Sequence, residues 1–284
     1  MEKLILESPI GESSISDRIY SSQTNRASEQ VEPRRSGAAT TVPVRSLREE
    51  ISYRVRYFVN AYPALYMPMA RYRHRYSIDR VVRRDTDLVI EAFGRTGTTF
   101  ANFAFLSAQT RRIRTVHHSH AAAQVITAVK MKIPTLVIVR EPEAVALSHM
   151  ARHRVSARPT LVAWIRFHEQ ILSCRKGIVL SSFEDVTRNF TPVIERLNEK
   201  FGTCFDVWQH TKENEAEIFH QIKTRNRGRF SEEAVVERLR AFALPTEERE
   251  ALKQKLRAQL QADSLATLRN RAKRLYENLL SRLD

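Results

Sequence analysis

The sequence predicts an α/β fold of three layers, a mostly parallel sheet with helices on both of its faces. Three observations carry that expectation: four short strand candidates, most of them apolar, helical stretches that follow them, and a glycine-containing turn set directly between the first strand and its helix. Strands that read as unbroken Val, Ile and Leu, without an alternation of apolar and polar residues, are what a sheet covered on both faces requires.

Residues 1–45 are rich in Ser, Thr, Glu and Arg and show no periodicity, so a disordered or loosely packed arm is expected there. The remainder, 46–284, is expected to form one domain, because 284 residues of which 42% are hydrophobic suit a single large core. From Ser46 to Ile78 arginines alternate with aromatics, as in Tyr53-Arg54-Val55-Arg56-Tyr57-Phe58 and Arg71-Tyr72-Arg73-His74-Arg75-Tyr76. Aromatic rings packed on the core, with arginine heads reaching to water, account for that pattern. A patch at 53–76 that contacts nucleic acid or a membrane surface is the alternative.

The first strand is read over 87–93, the turn over Gly94–Thr99 and a helix over 100–106. A second strand at 114–118 precedes an alanine-rich helix at 121–131, and the third, at 133–139, is the most apolar stretch of the chain. Helices at 143–152 and 159–174 lead to a fourth strand at 178–181, and a further helix is expected at 192–201. A C-terminal helix is placed at 246–284, capped by Thr246, with Leu252, Leu256, Leu260, Leu265, Leu268, Leu275 and Leu279 along its apolar face. Packing on the domain, or pairing with a second copy as a homodimer, accounts for that stripe.

Lys and Arg total 47 against 32 Asp and Glu, a formal charge of +15 that favours anionic partners: nucleotide phosphates, sulfated or acidic acceptors, nucleic acid or a membrane surface. The two cysteines, Cys174 and Cys204, stand in no metal-ligand spacing, so no disulfide framework and no metal site is expected and a reducing compartment fits. The first residues turn polar too soon for a signal peptide. No uncharged apolar run approaches the roughly 20 residues that cross a bilayer. A soluble, cytoplasmic protein is the expectation.

The chemistry is concentrated at strand ends. A turn between a strand and a helix presents backbone N–H groups at the positive end of the helix dipole, and so collects phosphate oxygens. Here it reads Gly94-Arg95-Thr96-Gly97-Thr98-Thr99; the glycines let the backbone approach, the threonines add hydroxyls, and Arg95 adds a cationic fork. It lacks the spacing and the Lys of the nucleoside triphosphate loop, which weighs against an ATPase or kinase. At the end of the third strand, where ligands of open parallel sheets collect, stands Arg140-Glu141-Pro142, with Ser148 two helical turns on.

Together these segments resemble the PAPS-dependent sulfotransferase family, whose 5′-phosphosulfate loop reads Pro-Lys/Arg-Ser-Gly-Thr-Thr and whose 3′-phosphate motif reads Arg-x-Pro followed by a Ser. Phe183-Glu184-Asp185 resembles that family's Tyr-Glu-Asp, and Arg227-Gly228 its late Arg-Lys-Gly stretch. The resemblance covers about residues 86–202 in motif order. It implies a P-loop nucleotide-binding fold and transfer of a sulfuryl group from PAPS, 3′-phosphoadenosine 5′-phosphosulfate, to a hydroxyl or amine of a small-molecule, lipid or carbohydrate acceptor. The implied cofactor-binding residues are Arg95, Thr96, Gly97, Thr98, Thr99, Arg140, Ser148, Arg227 and Gly228. Arg95 and His118 are the implied catalytic residues, with His117 and His120 as rivals for the base. Gly94-Arg95 departs from Pro-Lys, and an arginine stays protonated, so its part would be electrostatic. The competing reading is a basic nucleic-acid- or acidic-lipid-binding protein with a vestigial loop; a small-molecule kinase is the third.

Overall fold

The computed structural model describes residues 46–77, 79–227 and 247–281, the side chains of 223, 225–227 and 247–250 excepted. The expected arm at 1–45 and the cap residue Thr246 lie outside the described residues.

Two helices, α1 (Leu47–Val59) and α2 (Pro63–Arg73), occupy the stretch where arginine alternates with aromatics. Ser46 starts α1 through a capping box with Glu49, and Pro63 starts α2 with its backbone already in helical form. There follow β1 (Leu88–Glu91), α3 (Thr98–Ala108), β2 (Thr115–His117), α4 (Ala122–Lys130), β3 (Thr135–Val139), α5 (Pro142–His153), α6 (Ala157–Ser173) and β4 (Val179–Ser182). The chain continues through α7 (Phe183–Arg188), α8 (Thr191–Phe201) and α9 (Lys212–Arg227), and resumes with α10 (Glu247–Leu260) and α11 (Ala266–Leu280).

All four strands are parallel, in the order β2-β1-β3-β4. The chain steps outward from β1 to β2, then returns across β1 to lay down β3 on its other side. That reversal opens a crevice at the carboxyl ends of β1 and β3, the point where such sheets bind ligands.

Both faces of the sheet are buried, and the two-residue period of the strands divides the core. Leu88, Ile90, Leu136 and Ile138 pack against Phe100, Phe105, Ile194, Leu197 and Trp208 of one layer. Val137 and Val139 turn to the other face, beneath Val145, Trp164 and Ile171 of α5 and α6. Val89 and Val116 lie under α2 and α4 with Met67 and Ala128. This explains why the strands read as continuous apolar runs, since every residue of β1 and β3 is buried.

The C-terminal segment corrects one expectation. It is two helices, broken at a short 3₁₀ turn over Asp263–Leu265, where Ala262 leaves the helical region at φ −52 and ψ 140. The Arg269 guanidinium donates to the carbonyls of Leu260 and Ala262 at 2.8 and 2.7 Å, satisfying acceptors that the break leaves open. The predicted leucine stripe survives the break: Leu256, Leu260, Leu275 and Leu279 are buried with α5 and α6 in this chain's own core.

Candidate active site

The first strand ends in Glu91, and its last apolar residues, Ala92 and Phe93, carry the chain to the turn fully buried. Arg95 and Gly97 of that turn are left-handed, at φ 74 and 79. For arginine this conformation costs about 1 kcal/mol or more, and such strain persists where the surroundings fix the backbone for a purpose. Thr96 supplies part of the fixing: its buried hydroxyl donates to the Phe93 carbonyl at 2.6 Å. Its side chain therefore shapes the turn, and what it can offer a ligand is its backbone. The helix α3 starts at Thr98 with Gly97 as N-cap and no side chain capping it. Its first N–H groups and the positive end of its dipole thus belong to the turn.

Two groups reach the same turn from beyond β3. Arg140 donates through Nη1 to the Arg95 carbonyl at 3.3 Å, and Arg95 donates through Nε to the Ser148 hydroxyl at 3.0 Å. Phe183, the first residue of α7, lies beneath them. The Arg140 guanidinium sits 4.0 Å from the centre of its ring, and a Cβ added at Gly97 would come within 3.0 Å of the same ring. Gly97 is therefore required twice, by its positive φ and by the ring against it. Two guanidinium groups, a hydroxyl and an uncapped helix start around one glycine turn form a donor set suited to phosphate or sulfate oxygens. Asp185 is occupied elsewhere, in a capping box with Ser182 that starts α7.

The three histidines after β2 are placed very differently. His117 is buried in the strand, its N–H donating to the Asp79 carbonyl at 3.4 Å. His120 faces the Ala92 carbonyl through Nδ1 at 2.9 Å, so Nδ1 carries the proton, and burial pushes its pKa down to about 4. His118 is exposed, left-handed at φ 71, with Nδ1 3.5 Å from the Thr99 hydroxyl on the first turn of α3. The His120 ring also borders the turn, near Gly94, but of the three His118 is the exposed one, its ring beside the first turn of α3.

Two further groups border the site without any motif to announce them. Glu91 is fully buried and accepts from the backbone N–H groups of Ser119 and His120 at 2.9 and 3.0 Å, pinning the histidine loop; burial pushes its carboxyl up to about 7. A charged residue inside Leu88-Val89-Ile90-Glu91-Ala92 was the available signal. His149, next to Ser148, is buried between the hydroxyls of Tyr53 and Tyr57, 3.4 Å from Nδ1 and 2.9 Å from Nε2. Burial holds its pKa well below the usual imidazole value, with His153, His120, Arg95 and Arg152 adding to the effect. A Cβ at Gly94 would lie 3.1 Å from His149 Nε2, which gives a local reason for glycine at that position. Arg227 closes α9, but its side chain and all of Gly228 lie outside the described residues. Among the described residues no group of His, Cys, Asp or Glu could hold a metal ion, and no helix is long and apolar enough to cross a membrane.

No family model and no curated protein matches the chain. Among solved structures, the mouse sulfotransferase SULT7A1 complexed with PAP aligns with a TM-score of 0.37 and 13% sequence identity, covering 72% of this chain and 95% of that one.

Proposed function

We propose that the chain is a sulfotransferase that binds PAPS at the β1–β3 crevice and transfers its sulfuryl group to a hydroxyl or amine of an acceptor. The observation that carries this reading is the meeting of Arg95, Arg140 and Ser148 over the Gly94–Thr99 turn, from two segments that resemble the family's motifs in order. PAPS supplies a sulfuryl group already joined to a nucleotide phosphate able to depart. The amides of 96–99 and the start of α3 hold the oxygens of that phosphate, and Arg95 offsets the charge gathering there. Arg140, fixed on Phe183, holds the 3′-phosphate with Ser148. His118 takes the acceptor's proton on Nε2, its Nδ1 being turned to Thr99. The resemblance also assigns Arg227 and Gly228 to the 3′-phosphate of the adenosine 3′,5′-bisphosphate product.

The test is incubation with radiolabelled PAPS and a panel of carbohydrate, lipid and phenolic acceptors. Label moves to one acceptor class with the unaltered chain. His118→Ala lowers the rate about a hundredfold or more, while protection by adenosine 3′,5′-bisphosphate persists. Label transfer unaffected by His118→Ala removes that residue from the mechanism, and no transfer to any acceptor counts against the whole reading.

A further inference from the structure

Apolar residues of α1 and α2 point in two directions. Tyr53 and Tyr57 of α1 and Tyr66, Met67 and Ala70 of α2 face the core. On the opposite side Leu47, Ile51, Val55 and Phe58 follow one another at intervals of four, four and three residues, and all are exposed, Leu47 by 77% and Val55 by 55%. Leu65, Met69 and Tyr72 repeat the pattern on α2, and Tyr76 extends it into the next turn. Outside this hairpin, the exposed large hydrophobic residues among those described are Leu106 and Phe219. Each of the two helices thus carries an exposed apolar stripe, of the sort that soluble proteins reserve for an interaction.

The charges around the stripes are almost all of one sign. Arg48, Arg54, Arg56, Arg71, Arg73 and Arg75 are exposed. The two carboxylates of the segment are engaged locally, Glu49 in the cap of α1 and Glu50 with Arg54 at 2.6 Å. Beside the stripe, α1 and α6 enclose a cleft of about 250 Å³ with Arg54, Arg158 and Arg166 around a floor of Tyr57, Pro159 and Val162. Arg166 also lies over the Phe58 ring at 5.1 Å, which ties that cleft to the stripe.

We propose that the outer face of α1 and α2 docks on an anionic lipid bilayer, the aliphatic side chains entering the headgroup boundary and the three-arginine cleft taking a lipid phosphate. An amphipathic face rimmed by arginine suits that occupant on both counts, apolar burial and attraction to negative headgroups. Nucleic acid fits less well: the rings of Phe58, Tyr72 and Tyr76 could stack on bases, but Leu47, Ile51, Val55, Leu65 and Met69, the larger part of the stripes, are aliphatic and offer none. A second copy docked face to face would set like charges against each other. The docking is independent of the nucleotide reading, because it uses none of the residues at the Gly94–Thr99 turn.

The experiment is flotation of the full chain with vesicles of phosphatidylcholine alone, or of phosphatidylcholine containing phosphatidylserine. Binding appears with phosphatidylserine and is at least about tenfold weaker without it. The double variant Ile51→Ser/Leu65→Ser weakens binding about tenfold while its melting temperature stays unchanged. Arg158→Gln/Arg166→Gln weakens it as well, and inorganic phosphate at millimolar concentration competes only partly, because a free anion leaves the apolar contact intact. Three results overturn the proposal: no binding to phosphatidylserine vesicles, binding indifferent to Ile51→Ser/Leu65→Ser, or tighter capture of the same face by duplex DNA or RNA. A dimer that dissociates in Ile51→Ser/Leu65→Ser would also overturn it, by giving the face to a second copy.

Discussion

The Gly94–Thr99 turn and the outer faces of α1 and α2 are both rich in arginine, yet they are built in opposite ways. At the turn each guanidinium is held: Arg95 by Ser148, Arg140 by the Arg95 carbonyl and the Phe183 ring, with the backbone kept left-handed at Arg95 and Gly97. On the hairpin the arginines stand exposed around aliphatic stripes. The first arrangement fixes a few donors on one point, which suits a small anion of defined shape. The second spreads charge over an area, which suits a broad, deformable partner. Preorganisation, more than charge, separates a site from a surface.

The largest effect that would sharpen this contrast is at Arg140. Arg140→Ala is expected to lower sulfuryl transfer by about 10²–10³-fold, as loss of a preorganised donor does, and to leave vesicle flotation unchanged. A parallel loss of both activities would break the comparison by joining the two regions.

Next comes Glu91, which distinguishes a buried charge from exposed ones. Its carboxyl sits at about 7 when folded against an ordinary value of 4.5, so the folded chain holds a proton that the unfolded chain releases between those values. The stability it contributes is complete below about pH 4.5 and is lost as pH rises through about 7, a difference of about 3 kcal/mol. Burial acts the other way on His120 and His168, pushed down to about 4 and about 3; their contribution is present above about 6.5 and is lost as pH falls through those values. Urea unfolding at pH 5 to 8 of the parent chain and of Glu91→Gln therefore separates the terms. The parent should lose stability relative to the variant as pH rises, and parallel curves would contradict the burial of an ionisable Glu91. The groups that face it, Tyr66 on α2 and the Ser119 and His120 amides, are the same in both chains.

The smallest expected effect is on the hairpin itself. Ile51→Ser/Leu65→Ser should change unfolding free energy by no more than about 0.5 kcal/mol per site, as exposed substitutions do. A larger loss in calorimetry would mean that the stripe is core.

How far the sequence could lead depended on whether a signal was local. Strands β1, β3 and β4 were legible because a sheet covered on both faces leaves apolar runs, whereas β2, Thr115-Val116-His117, is marked chiefly by its place before the alanine-rich helix; Arg140 was legible because it ends the most apolar run. The helices α1 and α2 were hidden, since arginines set two apart among aromatics obscure the four-residue spacing of Tyr53 with Tyr57 and of Leu47 with Ile51 and Val55. The break after Leu260 carries neither Gly nor Pro and left no mark in the leucine spacing. Ranking His117, His118 and His120 required exposure and hydrogen-bond partners, which no string of residues contains. Glu91 and His149 matter through contacts with partners distant in sequence, Glu91 through Ser119 and His120, His149 through Tyr53 and Tyr57.

The measurement closest to the central claim is the melting temperature of the chain with adenosine 3′,5′-bisphosphate at micromolar to millimolar concentration, beside adenosine 5′-monophosphate. The bisphosphate should raise it by several degrees, corresponding to about 2–3 kcal/mol at a hundredfold excess over Kd, and Arg140→Ala should abolish the rise. No shift with the unaltered chain, or an equal shift with adenosine 5′-monophosphate, would contradict a crevice built around two phosphates.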